Sequence, residues 1–411
     1  MSLTLTSRAG APPFAGFGRA GRGLAAVLAI VEHVSAFVLA VDVLVVFVSV
    51  IFRYFLHEPL DWAEEVARAL MVTQVFLGAA TMVGRGGHAG IDAARGLFPP
   101  SWRPYLVQFS AWVIAAISVA ILGSSIDLLI DSEGQTTPFG LPGWIFVYPV
   151  MAGSLLMSVL GIAVALTGPP RAVLLTLLAG AGLVLAVYAW NTILPGAALS
   201  PFALLVAGFL GSLAIGIPIA FALALSALVY FLADPSLPLS IYSQQLMAGA
   251  DHFVLLAVPF FVLAGLAMEA NGMSARLVEL LLRMLGRLRG GLNLIIIVAT
   301  AFFSGISGSK LADIAAVGGI IMPAVRKTGQ DANDAAGLLA SSAIMAETIP
   351  PCVNMIIFGF VANVSIGGLF IAGLMPAAFL ALGLAGVAVV FGRRIDPNQA
   401  FTVRTPLLRL V

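Results

Sequence analysis

Charge is what this sequence has least of. Of 411 residues, 9% are Asp, Glu, Lys or Arg against 61% hydrophobic, and only two lysines occur, Lys310 and Lys327. A water-soluble domain is about one quarter charged, so no soluble fold fits. The mean hydropathy of +1.08 makes the bilayer the solvent. A net charge of +1 speaks against nucleic-acid binding and against an acidic tail. The single cysteine, Cys352, excludes a disulfide framework and a Cys-based metal site. The four histidines, His33, His57, His88 and His252, are scattered without metal-ligand spacing. G-x-S-x-G, H-E-x-x-H and Walker A sequences are all missing, so intramembrane proteolysis and ATP-driven pumping lack their chemistry. The reading is a non-enzymatic membrane protein without a cofactor, either a transporter or a channel.

What the sequence has in abundance is long apolar runs. At 1.5 Å rise per residue, roughly 20 apolar residues cross the hydrocarbon. The first 170 residues hold four such spans, near 24–53, 62–83, 104–130 and 144–167. The first run is too long for a signal h-region and reads as a retained helix. Arg8, Arg19 and Arg22 precede it, and Arg85, Arg95 and Arg103 follow the second span. The opposite loops carry Glu58, Asp61, Glu64, Glu65, Asp131 and Glu133. Positive-inside bias therefore places the N-terminus in the cytoplasm.

Gly168-Pro169-Pro170-Arg171 is a composition break and marks a module boundary. The expected organisation is a four-helix module over 1–170, a connecting helix and turn over 171–200, a second module over 201–394 and a tail over 395–411. The run 202–233 is interrupted at Gly216-Ile217-Pro218 and reads as one kinked helix or two short ones. After a span near 253–269, Arg276, Glu279, Arg283 and Arg287 recur every three or four residues over 274–289. That is an amphipathic interfacial helix, either a solvated face or an arm bracing a moving domain.

The segment 293–325 is apolar but basic at both ends, with Arg287 and Arg289 before it and Arg326 and Lys327 after it. Two cytoplasmic ends cannot belong to one crossing. The Ser- and Gly-rich middle, Phe303 to Ser309, suits a tight turn, so the segment reads as a re-entrant hairpin with its tip at membrane depth, where irregular backbone must be buried in protein or line a cavity. A second interruption, Glu347-Thr348-Ile349-Pro350-Pro351, breaks a helix over 335–361. A broken helix beside a re-entrant tip is how secondary transporters build substrate and ion sites. A last span covers about 367–391. The fold class is thus an all-α polytopic membrane protein.

Lys310 directly follows the tip, Asp313 lies three residues on, and Glu347 stands in the second break. Charges in a bilayer are costly unless paired or wetted, so these are functional candidates. Lys310 either pairs locally with Asp313 or faces Glu347 across the site, in place of a bound cation or as a proton carrier. Ser304, Ser307, Ser309, Ser341, Ser342, Thr348 and Asn354 add oxygens, which suit Na⁺ better than a transition metal. Asp42 and the Trp62-Ala63-Glu64-Glu65 stretch read as helix locks, with Arg53 as a partner. A channel needs a continuous polar pore, whereas these charges cluster at one pair of breaks.

Several stretches resemble a known family. Phe52-Arg53-Tyr54-Phe55, Pro59-Leu60-Asp61-Trp62-Ala63-Glu64-Glu65 and Arg85-Gly86-Gly87-His88-Ala89-Gly90-Ile91-Asp92 resemble the small four-helix subunit of tripartite ATP-independent periplasmic (TRAP) transporters. From Phe202 onward the chain is similar to the large subunit, through Gly216 to Ala222, Leu255 to Gly265, Gly305-Ile306-Ser307-Gly308-Ser309, Ala312-Asp313 and Ile349-Pro350-Pro351. The resemblance implies a fused permease of the bacterial inner membrane, a cation-driven importer of organic acids delivered by a periplasmic solute-binding protein, working as an elevator. Carried over, Ser304, Gly305, Ser307, Gly308 and Ser309 at the tip and Ser341, Ser342, Glu347, Thr348, Pro350, Pro351 and Asn354 at the break form half of the substrate and ion site. Ser304, Ser307, Ser309 and Thr348 are the Na⁺ candidates, with Na⁺ as coupling ion. Two departures arrive together: Lys310 stands where the family has a small residue, and Ala346-Glu347-Thr348 where it has Gly-Pro. The family's second repeat, with its Thr-Pro-Thr-Glu-Ala-like stretch, is not found, so the expectation includes a further chain supplying it. The rival expectation is a non-transporting membrane scaffold. Membrane lipids and a small organic acid are expected partners; nucleic acid is not.

Overall fold

Hydrocarbon offers no water to backbone groups, so a chain this apolar must close its hydrogen bonds within helices or a barrel. The computed structural model describes residues 14, 18–86, 96, 98–193, 200–234, 236–286, 288, 290–307 and 310–392. It is all-α, with fifteen α-helices and no strand among the described residues. Among the described residues five helices are long and apolar enough to cross a bilayer, or six if the bent pair 240–250 and 253–268 is one span. The chain divides into two units between His252 and Phe253.

The first unit opens with α1 (Gly18–Ile51), which runs into a π turn, Phe52–Leu56. His57 in the left-handed conformation (φ 58°) stops that turn. α2 (Asp61–Arg85) follows, with Asp61 and Glu64 in its first turn, where the helix dipole favours carboxylates. α3 (Arg103–Asp131), α4 (Trp144–Ala165) and α5 (Pro170–Ile193) come next. The run 202–233 is two helices: α6 (Pro201–Ile215) ends at Gly216 with φ 81°, Pro218 forbids continuation, and α7 (Ile219–Ala233) begins after it. At 15 residues each is about 22 Å long, short of a full hydrocarbon crossing. α8 (Ser240–Ala250) closes the unit.

Packing here rests on small residues, as expected where lipid tails are as apolar as leucine. An ideal Cβ on Gly153 of α4 would stand 2.5 Å from Phe76 Cβ of α2, and one on Gly161 would stand 3.3 Å from Ala115 Cα of α3. Buried Ser118, Ser125, Ser154 and Ser158 turn their hydroxyls back to carbonyls in their own helices. Ser243 of α8 donates to the Ile121 carbonyl of α3 at 3.1 Å. Val72, Phe76, Ile117, Val150 and Leu160 of the four-helix module share one core with Ile217, Phe221 and Tyr242. The packing unit therefore runs past the composition break at 168–171.

The lock expected around Asp42 does not form. Asp42 is buried with neither carboxylate oxygen partnered among the described residues. Arg53 lies about eleven residues further along the helical path, roughly 16 Å away along the axis. Glu65 is likewise buried without a partner. α1 and α2 are instead joined by Arg85 and Glu32, whose groups meet in two parallel contacts, one of them Arg85 Nη2 to Glu32 Oε2 at 2.7 Å.

The second unit contains a 3₁₀ turn, Phe253–Leu256, then α9 (Ala257–Ala270), α10 (Met273–Leu285), α11 (Gly291–Ser307), α12 (Lys310–Lys327) and α13 (Ala332–Ser342). A 3₁₀ turn (Ala343–Glu347), α14 (Val353–Val361) and α15 (Ile366–Phe391) complete it. α10 is the expected amphipathic helix: Val278 and Leu281 are buried, Arg276 and Met284 are exposed, and Glu279 meets Arg283 at 3.3 Å. α11 is the hub, packing against α9, α10, α12, α13 and α15. Its Leu292, Ile295, Ile296 and Phe303 form a core with Val317 and Ile321 of α12 and Leu339 of α13. Arg287, Arg289, residues 87–95 and the stretch beyond Gly392 lie outside the described residues.

Gly153→Leu is expected to lower the stability of the detergent-solubilised chain by about 1–3 kcal/mol, the cost of overpacking. Gly123→Ala, in the interior of α3 with nothing within 4 Å of its Cβ, is expected not to destabilise the chain and to raise its stability by up to about 1 kcal/mol.

Candidate functional site

The polar groups of the second unit gather where the hairpin meets the broken helix. The tip is shorter than expected. α11 continues through Ser307, so Phe303, Ser304 and Gly305 are helical and not part of a loose turn. Gly308 and Ser309 lie outside the described residues, as does the side chain of Ser307. The reason is local: Phe303 packs into the α11 core and Ser304 has a partner across the hairpin, so the last turn of the helix is held.

That partner is Asp313. Ser304 Oγ donates to Asp313 Oδ2 at 2.6 Å, and both residues are fully buried. Asp313 sits in the first turn of α12, where the helix dipole stabilises a carboxylate. Lys310, at the first position of the same helix, is placed against that dipole. Its offset comes from Glu347, whose Oε1 lies 3.0 Å from Lys310 Nζ. The other oxygen of Glu347 accepts from Asn354 Nδ2. The starts of α12 and α14 are thus tied to the 3₁₀ turn through one carboxylate. Because the Lys310 and Glu347 side chains are 47% and 31% exposed, the pair contributes no more than about 1 kcal/mol to stability.

The end of α11 and the proline break are in contact, and a glycine lets α15 approach the break from the other side. A Cβ on Gly305 would come within 3.4 Å of Ile349 Cγ2 and 3.6 Å of the Pro350 carbonyl oxygen. On the other side of the break, Gly373 of α15 lies so close that a Cβ there would stand 2.5 Å from the Thr348 carbonyl oxygen. Pro350 and Pro351 carry no N–H, so the carbonyls of Ala346 and Glu347 lose the donors a continuous helix would give them. The Pro350–Pro351 bond is cis.

The remaining candidates divide. Thr348 Oγ1 donates to the Met345 carbonyl within its own turn at 3.1 Å, and Ser341 Oγ donates to the Gly337 carbonyl at 2.9 Å on an exposed face. Ser342 is buried, and its hydroxyl has no hydrogen-bond partner among the described residues. No group of three or more His, Cys, Asp or Glu suited to a metal ion occurs among the described residues. Sequence reasoning missed Gly373, which looks like any other glycine of an apolar span. It also missed Arg68, an isolated charge in α2 whose partner Asp251, 3.4 Å away, is 183 residues distant.

Comparison with known proteins gives the family. Residues 42–168 match the family described as "Tripartite ATP-independent periplasmic transporters, DctQ component", and residues 206–406 match the DctM component. The chain belongs to the TRAP transporter permease family. It joins a small and a large permease component in one polypeptide. TRAP permeases are transporters, not enzymes. Among relatives, the sialic acid TRAP transporter permease protein SiaT of Haemophilus influenzae is 29% identical over 87% of this chain and 60% of its own length. The isethionate TRAP transporter permease protein DctMQ of Oleidesulfovibrio alaskensis is 30% identical over 84% of this chain and 55% of its own. The 2,3-diketo-L-gulonate TRAP transporter large permease protein YiaN of Escherichia coli is 44% identical over 42% of this chain and 40% of its own. The chain thus spans about two fifths to three fifths of the length of these relatives. Within this TRAP permease, the DctM match begins inside α6, yet α7 and α8 pack with the DctQ helices.

Ser304→Ala is expected to cost about 1.5–3 kcal/mol, since it removes a buried hydrogen bond to a carboxylate. Lys310→Ala is expected to cost less than about 1 kcal/mol. Thermal unfolding of the two variants in detergent checks the order.

Proposed function

We propose that the chain serves as the membrane component of a cation-driven importer of organic acids, handed over by a periplasmic solute-binding protein. The names of the three relatives each specify an organic acid, which supports that substrate class. The reading includes a bacterial inner-membrane location, as the family resemblance implies, and a cytoplasmic N-terminus, which the basic residues Arg8, Arg19 and Arg22 and the acidic loops opposite support.

The observation that carries the reading is the meeting of hairpin tip and proline break, with a pair of opposite charges that adds little to stability. Na⁺ is the coupling ion in this reading, held by the hydroxyls of Ser304, Ser307, Ser309 and Thr348 together with carbonyls freed at the break. In this reading Lys310, paired with Glu347, takes the place of one bound cation. Its contact with Glu347 then belongs to the transport cycle, and the unit formed by α9 to α15 is the part that moves as an elevator.

The test is Na⁺-driven uptake by proteoliposomes containing the permease and its binding protein. Lys310→Ala and Glu347→Ala are each expected to reduce uptake at least about tenfold, with the double variant no worse than either single one, as for coupled groups. Additive losses would contradict the coupled pair. Uptake indifferent to a Na⁺ gradient in the unmodified permease would contradict Na⁺ coupling, and no uptake at all would favour a non-transporting scaffold.

A further inference from the structure

A second polar site lies in the first unit, away from the hairpin. A cleft of about 240 Å³ opens between the π turn after α1, the start of α2 and the loop joining α3 to α4. Glu65 lines it, only 2% exposed, and neither of its carboxylate oxygens has a hydrogen-bond partner among the described residues. Asp61 and Glu64 stand at the exposed rim.

Of the two arginines in the cleft, Arg68 is already engaged. Its Nη1 lies 3.4 Å from Asp251, and its guanidinium sits 5.9 Å from the Phe146 ring centre. Arg53 is exposed and forms no ion pair among the described residues, so it offsets at most one rim carboxylate. The cleft is left with excess negative charge around a desolvated carboxylate, a state that a cationic partner relieves. The carboxylates are not clustered as metal ligands would be, which points away from a bare divalent ion. The opposite wall is apolar: Leu60, Pro138 and the half-exposed ring of Phe139. Such a wall takes an alkyl stem and offers an aromatic face to a positive nitrogen.

We infer that this cleft is a binding site for one alkylammonium or alkylguanidinium group, its nitrogen on Glu65 and its stem against Phe139. The same chemistry comes from a free organic amine or from a basic side chain on a protein docking at that face.

The experiment measures thermal unfolding of the full chain in detergent with n-butylammonium chloride, against sodium chloride and tetramethylammonium chloride at equal ionic strength. The alkylammonium salt is expected to raise the transition by about 2 °C or more. Glu65→Gln is expected to abolish the rise and Phe139→Ala to weaken it, while Glu133→Gln, outside the cleft, leaves it intact. An equal rise with the two control salts, no rise at all, or a rise undiminished in both cleft variants would overturn the assignment. Should Glu65→Gln fail to fold, the salt comparison on the unmodified chain and Phe139→Ala still decide. A blocked Gly-Gly-Lys-Gly-Gly peptide added in place of the amine separates the sources: a rise with the peptide assigns the site to a side chain, and a rise with the amine alone assigns it to a small molecule.

Discussion

A helix that breaks inside hydrocarbon leaves carbonyls and N–H groups with nothing to bond, and the rest of this structure answers that constraint. The second unit has two interruptions, the hairpin joint after Ser307 and the proline break after Glu347. Each is brought against other protein. Ile349 and the Pro350 carbonyl lie against Gly305 at the end of α11, while Gly373 lets α15 come within contact of Thr348. Helices that stay continuous need no such cover, which is why α15 can expose most of its apolar surface.

Two polar pairs lie at this junction and differ in kind. Ser304 and Asp313 are fully buried and bonded at 2.6 Å, so they hold the two arms of the hairpin together. Lys310 and Glu347 are half in the open, and a pair so placed adds little stability. A lysine at the first position of α12, against the helix dipole, is hard to explain as architecture. Its position is what connects the geometry to the proposed transport cycle.

Much of the architecture was legible in the residues. The four spans of the first module fall within a few residues of α1 to α4, because long apolar runs and charged loop ends are strong signals. The hairpin is legible in two basic ends flanking one apolar stretch, and the sequence offers Lys310 two partners, Asp313 and Glu347, of which the structure shows Glu347. Other features left no local trace. Three serines and two glycines make the tip read as a turn, while the hydrogen bond from Ser304 to a residue nine positions on, and the packing of Phe303, keep its first residues helical. Asp42 was expected to have a partner and has none among the described residues. The joining of α7 and α8 to the small-component helices depends on Tyr242, Phe221 and Ile217 finding a distant core, which no linear pattern announces.

The central claim is that hairpin tip and proline break form one junction in the membrane. Paired cysteines test it most directly: Gly305→Cys with Ile349→Cys in a chain carrying Cys352→Ala, oxidised in native membranes. The account predicts rapid intramolecular crosslinking of this pair, with loss of uptake that a reductant restores. Absence of the crosslink, while a control pair at Gly161 and Ala115 in the first unit forms one, would contradict it.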